Sequence, residues 1–126
     1  MTTREIATRL VALCREHQNM EAVRALYSDD IVSVEAVEGQ GMPREMRGKE
    51  AVLGKGQWWF DNHVIHSSEV SGAMYHGDDR FACVMKYDVT FKVTGQRFKM
   101  EEIALYTVAN GRIVREEFFY DMQAMK

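Results

Sequence analysis

The chain holds one proline, two cysteines and no run of eighteen apolar residues. Without such a run no helix can cross a membrane. The N-terminus also lacks the basic-then-apolar pattern of a secretory leader, so the sequence reads as a cytoplasmic protein. Cys14 and Cys83 are distant in sequence, sit in apolar surroundings and have no metal-ligand spacing. They read as buried free thiols rather than a disulfide. Nor is there an excess of base. Sixteen Lys and Arg against nineteen Asp and Glu leave a net charge of −3, and the basic residues are scattered. That pattern offers nothing to nucleic acid or to an anionic membrane. Also missing are a glycine-rich phosphate loop, a G-x-S-x-G elbow and a dinucleotide fingerprint. Any chemistry is therefore expected to be cofactor-free acid/base work. No internal repeat or low-complexity segment interrupts the chain, and 46% hydrophobic residues in 126 suffice for one domain, residues 1–126, with its own core. The nine methionines are read first as core filler and second as an adaptable cavity lining.

The most informative stretch is the last quarter, Arg97 to Asp121. Two runs rich in β-branched and aromatic residues flank Asn110-Gly111, the strongest short-range signal for a hairpin. A third run, Arg80 to Val93, precedes them across Thr94-Gly95. In it Phe81, Cys83, Met85, Tyr87, Val89 and Phe91 alternate with Lys86, Asp88, Thr90 and Lys92, the pattern of a sheet with one covered face. The cover is expected from the N-terminal half. Thr2 or Thr3 can cap a first helix whose Ile6, Leu10, Leu13 and Cys14 recur at helical steps. Asn19 can cap a second, with Met20, Val23, Leu26 and Tyr27 inward. Ile31 to Ala36 alternates as a strand, with Ile31, Ser33 and Glu35 on one side. Val37 to Arg47, carrying Gly39, Gly41 and Pro43, reads as a loop. A third helix follows from about Gly48 to His63, with Val52, Gly56, Trp59 and His63 near one stripe. Gly54 and Gly56 inside it cost roughly 1 kcal/mol each, which a close neighbour or a ligand would explain. His63 to Met74 is a weakly patterned strand. The predicted order is ααβαββββ.

The register of the last hairpin decides which carboxylates face inward. A strict two-residue loop pairs Ala104 with Glu117, whereas a bulge shifts the parity by one. The bulged version is preferred because it gives the more apolar face: Val114, Phe118 and Tyr120 then share a side with Ala104, Tyr106 and Val108. It also turns Glu102 and Glu116 inward and sends Arg115 and Glu117 out.

Three stretches carry a family resemblance: Tyr27-Ser-Asp-Asp-Ile-Val-Ser-Val-Glu35, Gly48-Lys-Glu-Ala-Val52, and Asn110-Gly-Arg-Ile-Val-Arg-Glu-Glu-Phe-Phe-Tyr-Asp121. With the element order they resemble the NTF2-like superfamily, and within it the SnoaL-like proteins, which include polyketide cyclases. The ketosteroid isomerases are also similar. The resemblance implies an α+β cone: a curled antiparallel sheet covered by three helices and enclosing a pocket. It matches Glu35 to the carboxylate that shuttles a proton in the isomerases. In those enzymes the carboxylate works beside an oxyanion hole made of a tyrosine and a protonated aspartate. Here those two positions fall near Val11 and at Ile103 or Ala104. Losing even one oxyanion donor costs about 2.7–4 kcal/mol of barrier, which argues against a true ketosteroid isomerase. The resemblance further implies a homodimer through the outer sheet face, for which Ile103, Leu105, Ile113 and Phe119 are apolar candidates.

The candidate catalytic residues are Glu35, Glu102 and His63. An inward carboxyl in an apolar cavity has a raised pKa, suited to proton abstraction beside a carbonyl. Two such groups facing one another would hold a proton between them. The plain alternatives are a Glu35 paired with Arg44 or Arg47, a Glu102 paired with Arg97 or Lys99, and a His63 that caps its helix. His63 with His66 lacks a third ligand, so no metal is expected. Tyr27, Trp59, Tyr87 and Tyr120 combine apolar walls with polar tips and are the candidate substrate-binding residues. The leading expectation is a small-molecule-binding isomerase or cyclase acting on an apolar or polycyclic carbonyl compound. A non-catalytic carrier or sensor, and a dimerisation module with a self-filled cavity, are the alternatives. A cavity of about 300 Å³ or more with Glu35 at its wall would favour a ligand site.

Overall fold

The computed structural model describes residues 1–121. Helix α1 (Thr3–Arg15) starts from a capping box: the Glu5 amide donates to the Thr2 hydroxyl, and the Thr2 amide donates back to the Glu5 carboxylate. Its inward stripe, Ile6, Ala7, Leu10, Val11 and Cys14, is buried. His17, with φ 58°, turns the chain into α2 (Asn19–Leu26). Asn19 proves to be the first helical residue of α2 rather than its cap. Gln18 holds the cap position and makes no side-chain bond there. Tyr27 likewise leaves the helix and opens the first strand.

Seven strands follow: β1 (Tyr27–Val34), β2 (Glu45–Arg47), β3 (His63–Val70), β4 (Met74–His76), β5 (Arg80–Phe91), β6 (Arg97–Ala109) and β7 (Arg112–Phe119). Helix α3 (Lys49–Asn62) lies between β2 and β3, entered through Gly48 at φ 96°, where a side chain would be strained. The sheet is curled and unclosed, ordered β2-β1-β7-β6-β5-β3, with β4 paired to β5. Two expectations need correction. The order is ααββαβββββ, because the segment read as a loop contributes β2 and the weak strand divides into β3 and β4. Three-residue strands with exposed side chains leave no alternation to detect. The sheet is also mixed, since β1 runs parallel to β7. A parallel neighbour requires a long crossover, here almost the whole chain between them.

The final hairpin combines both features that the sequence offers as alternatives. Asn110 (φ 53°) and Gly111 (φ 73°) are both left-handed, as a two-residue primed turn demands. Val108 opposes Ile113, and then the pairing slips between Thr107 and Val108. Beyond the slip Ala104 opposes Phe118 and Tyr106 opposes Glu116. Glu102 thus shares the inner face with Ala104 and Tyr106. Ile113 falls inside as well and is fully buried, so it is a core residue and no part of an outer seam.

The helices cover one face. Helix α1 packs on β3 and β5, and α3 reaches β1, β2 and β3. The core between them includes Leu10, Leu26, Ile31, Phe81, Val89 and Tyr106, with the Phe81 and Tyr106 rings stacked at 5.0 Å. Gly56 explains itself: a Cβ there would lie 2.2 Å from Met20 Cε, so the thioether of α2 occupies that place. Gly54 faces open space.

Candidate functional site

Alternation along β1 turns Ile31 and Ser33 fully inward. Glu35, one residue past the strand end, continues on that side, and its amide donates to the Arg44 carbonyl. Its carboxylate meets neither Arg44 nor Arg47. Lys55 of α3 takes that role, with Nζ 3.4 Å from Glu35 Oε1. Arg44 donates instead to the Glu35 backbone carbonyl, and Arg47 pairs with Glu45. The same Lys55 ammonium donates to Ser33 Oγ at 2.5 Å and lies 5.4 Å from the centre of the Phe118 ring.

Ser33 Oγ in turn donates to Glu116 Oε2 at 2.6 Å, and the Tyr27 hydroxyl donates to Glu116 Oε1. Glu116 is 3% exposed, and burial raises its pKa, with Lys55 and the two hydroxyl donors opposing that rise. Burial and the neighbouring Glu116 push the Tyr27 phenol well above its ordinary range. A continuous chain of hydrogen bonds thus runs Tyr27–Glu116–Ser33–Lys55 and ends on the Glu35 ion pair.

Glu102 is built differently. Although part of the residue reaches open space, its carboxyl sits in protein-dense surroundings. Burial, then the negative charges of Glu35 and Glu116, push it up to about 8, with Lys55 acting the other way. Neither Arg97, which forks onto Asp88, nor Lys99 pairs with it. No hydrogen bond or ion pair to Glu102 occurs among the described residues. At neutral pH it is mostly a neutral acid able to donate a proton, close enough to Glu35 for their charges to interact.

His63 is set apart. It ends α3 with Nδ1 2.8 Å from the Trp59 carbonyl, stacked on the rings of Trp59 (4.3 Å) and Phe91 (5.1 Å). Burial lowers its pKa, and it contacts none of the three carboxyls. Its ring nitrogen on the Trp59 carbonyl makes it the cap that ends α3. His66 bonds Thr90 across the neighbouring strand, and the described residues contain no group of three or more metal-ligating side chains.

The aromatic candidates fall into two groups. Trp59 and Tyr87 pack together at 5.3 Å beside His63. The Tyr87 phenol is raised, by burial first and then by Glu102. Tyr120, just past β7, has its phenol pushed up to about 12 by burial and by Glu35 and Glu102, while the backbone at Ala36 and Val37 moderates the rise. A recess of about 250 Å³ opens at the ends of β1 and β7, with Glu35, Arg44, Phe118 and Tyr120 among its walls. Tyr27 lies deeper, on Glu116.

Sequence reasoning overlooked Lys55 and gave Ser33 and Glu116 little weight. The signal for Lys55 was there: it stands three residues after Val52 and four before Trp59, a lone cation on the apolar stripe of α3.

Comparison with known proteins adds the family. A SnoaL-like domain family matches residues 1–120. A Mesorhizobium loti structure, provisionally described as a SnoaL-like polyketide cyclase with carbohydrate phosphatase as a second description, is 44% identical over 95% of this chain and 100% of its own, with a TM-score of 0.88. A Mycobacterium tuberculosis protein in complex with estradiol-17β-hemisuccinate shares the fold at 18% identity, covering 100% of this chain and 99% of its own, TM-score 0.77. A computationally designed 17-OHP binder does so at 19%, covering 100% and 98%, TM-score 0.71. No curated protein matches the sequence. The capped helices, the curled sheet and the match over nearly the whole length place this chain in the SnoaL-like family of the NTF2-like fold.

Proposed function

We propose that this protein binds a small carbonyl compound at the mouth of its cone and moves a proton on it, as an isomerase or cyclase does. The observation that carries this reading is the contrast between two neighbouring carboxyls. Glu35 is held in an ion pair with Lys55, while Glu102, enclosed and without a protein partner among the described residues, keeps its proton into the neutral range. A carboxyl that keeps its proton beside a second, ion-paired carboxylate is an arrangement suited to acid/base catalysis. Glu35 takes the proton beside the carbonyl, and Glu102 donates a hydrogen bond or proton to the carbonyl oxygen. Phe118 and Tyr120 supply apolar wall and a hydroxyl tip at the recess. Trp59, Tyr87 and His63 form the aromatic packing behind it. The reading is that of a cytoplasmic protein needing no cofactor, consistent with two buried free thiols.

Ligand size and charge follow from the same residues. The recess is below the roughly 300–1,000 Å³ of common small-molecule sites, so a polycyclic ligand requires the aromatic lining to yield. Around the recess Glu35 and Glu117 stand against Arg44, so it has no excess of positive charge to favour a phosphate ester. Deuterium exchange tests the chemistry: a panel of cyclic ketones is incubated with the protein in heavy water and followed by mass spectrometry. Wild type is expected to exchange the α-proton of a bound ketone, and Glu35→Gln to bind it without exchange. Binding without exchange by wild type leaves a carrier, the reading favoured by apolar Val11 and Ala104 where the isomerases' oxyanion donors would stand.

The outer sheet face supports a homodimer. Ile103 and Phe119 oppose each other across β6 and β7 and are 46% and 50% exposed. Neighbouring Val84, beside Ile103, and Leu105 extend the apolar surface. Such a patch on a sheet face is suited to a twofold interface.

A further inference from the structure

We infer that Lys55 is the positioning residue of this site: seated between Ser33 and Glu35, it holds the Glu35 carboxylate at the wall of the recess and supplies the positive charge of the carboxyl cluster. The inference rests on the proton-transfer reading above but is testable without a substrate. Its basis is geometric. Lys55 Nζ has two polar partners within 3.4 Å, Ser33 Oγ and Glu35 Oε1, and only 13% of its side chain is exposed. Ser33 is fully buried and passes the contact to Glu116, so the ammonium is anchored from the core side rather than free to swing. An ammonium has three protons to donate. Ser33 and Glu35 use two, and the face of Phe118 adds an attractive wall.

The consequence for the carboxyls is a division of labour. Three of them lie close together, and among the described residues Lys55 is the cation paired with a carboxylate of the cluster. Glu35 is the one in direct contact with it, at 3.4 Å. Glu116 receives two hydroxyl donors in addition to the charge of Lys55, which is the strongest effect opposing its rise. Glu102 has neither contact and bears the repulsion of the other two. The neutral titratable groups facing this cluster are Tyr27, Tyr120, Tyr87, Tyr106, Cys14 and Cys83, all raised by burial. The charged neighbours at the rim are Arg44, which donates to the Glu35 backbone carbonyl, and Glu117, which pairs with Arg115. A substrate carbonyl would thus meet a base and an acid whose roles are set before it arrives.

The test is a pH titration of the protein labelled with carboxyl-13C glutamate, read by infrared spectroscopy of the protonated carboxyl and assigned with Glu102→Gln. Lys55→Met is expected to move the Glu102 midpoint upward, since an opposing charge is lost. Lys55→Arg is expected to restore it, because it returns the charge. Glu35→Gln should lower the midpoint by removing a like charge. Should Lys55→Met fail to fold with Glu35 left unpaired, Lys55→Met with Glu35→Gln is compared with Glu35→Gln alone, and the former should titrate higher. An unchanged Glu102 midpoint on removing Lys55 in either background overturns the proposal. That result would leave the ketone-exchange experiment standing, and a failure of exchange would leave this titration standing.

Discussion

At the scale of single residues, Glu102 couples the site to stability. Its folded value of about 8 lies above the 4.5 of an ordinary glutamate. Below about pH 4.5 folded and unfolded chains both hold the proton, and the contribution is fully present. Between there and about pH 8 only the folded chain keeps it, so stability falls as pH rises. Glu116, also raised by burial, adds in the same direction. Urea denaturation of wild type should therefore show a midpoint that declines from pH 5 to 8, and Glu102→Gln should flatten most of that decline. Tyr27→Phe tests the deeper end of the chain of hydrogen bonds. It removes one of two hydroxyl donors from a buried carboxyl and should cost about 1–3 kcal/mol in the same assay. The sequence put Glu35 on the inward side of its strand and, in the bulged register it favours, Glu102 and Glu116 as well, because a period of two fixes the side; it left the choice between Glu101 and Glu102 to that register. It could not show which of them would meet Lys55, since 20 to 61 residues separate that lysine from them and only packing joins them.

Among the elements, α3 is the least regular. Its stripe of Val52, Lys55, Gly56 and Trp59 mixes cation, glycine and aromatic, and only Val52 is fully buried. The two glycines separate its causes. Gly54 meets nothing within 4 Å, so Gly54→Ala should stabilise by about 0.5–1 kcal/mol through helix propensity alone. Gly56→Ala gains the same propensity but collides with the Met20 thioether. It should stabilise less or destabilise, and regain the full benefit with Met20→Ala, a coupling that a double-mutant cycle by thermal denaturation measures. The last hairpin is the most legible element, since Asn110-Gly111 announced its turn. The bulge beyond it was inferable because only that register gathers the apolar residues on one side. Short β2 and β4 were illegible, being too brief to carry a pattern, and the parallel pairing of β1 with β7 was illegible because no local signal encodes so distant a partner.

At the scale of the whole molecule, the three helices close one face of the sheet and leave the other to solvent. Ile103 and Phe119 make that outer face the proposed dimer seam. Ile103→Lys should convert a dimer into a monomer in sedimentation velocity at micromolar concentration while leaving the circular dichroism unchanged. A wild-type monomer would refute the seam. No helix among the described residues is long and apolar enough to cross a membrane. The α+β class, the covered sheet and the family were set by the sequence itself, through caps, alternation and turn residues that act over a few positions. The pairing of Lys55 with Glu35, the isolation of Glu102, the removal of His63 into an aromatic stack and the burial of Ile113 were decided only by the tertiary structure. They depend on how a helix sits against a curled sheet, and that arrangement arises from the summed packing of the whole core rather than from any local run of residues.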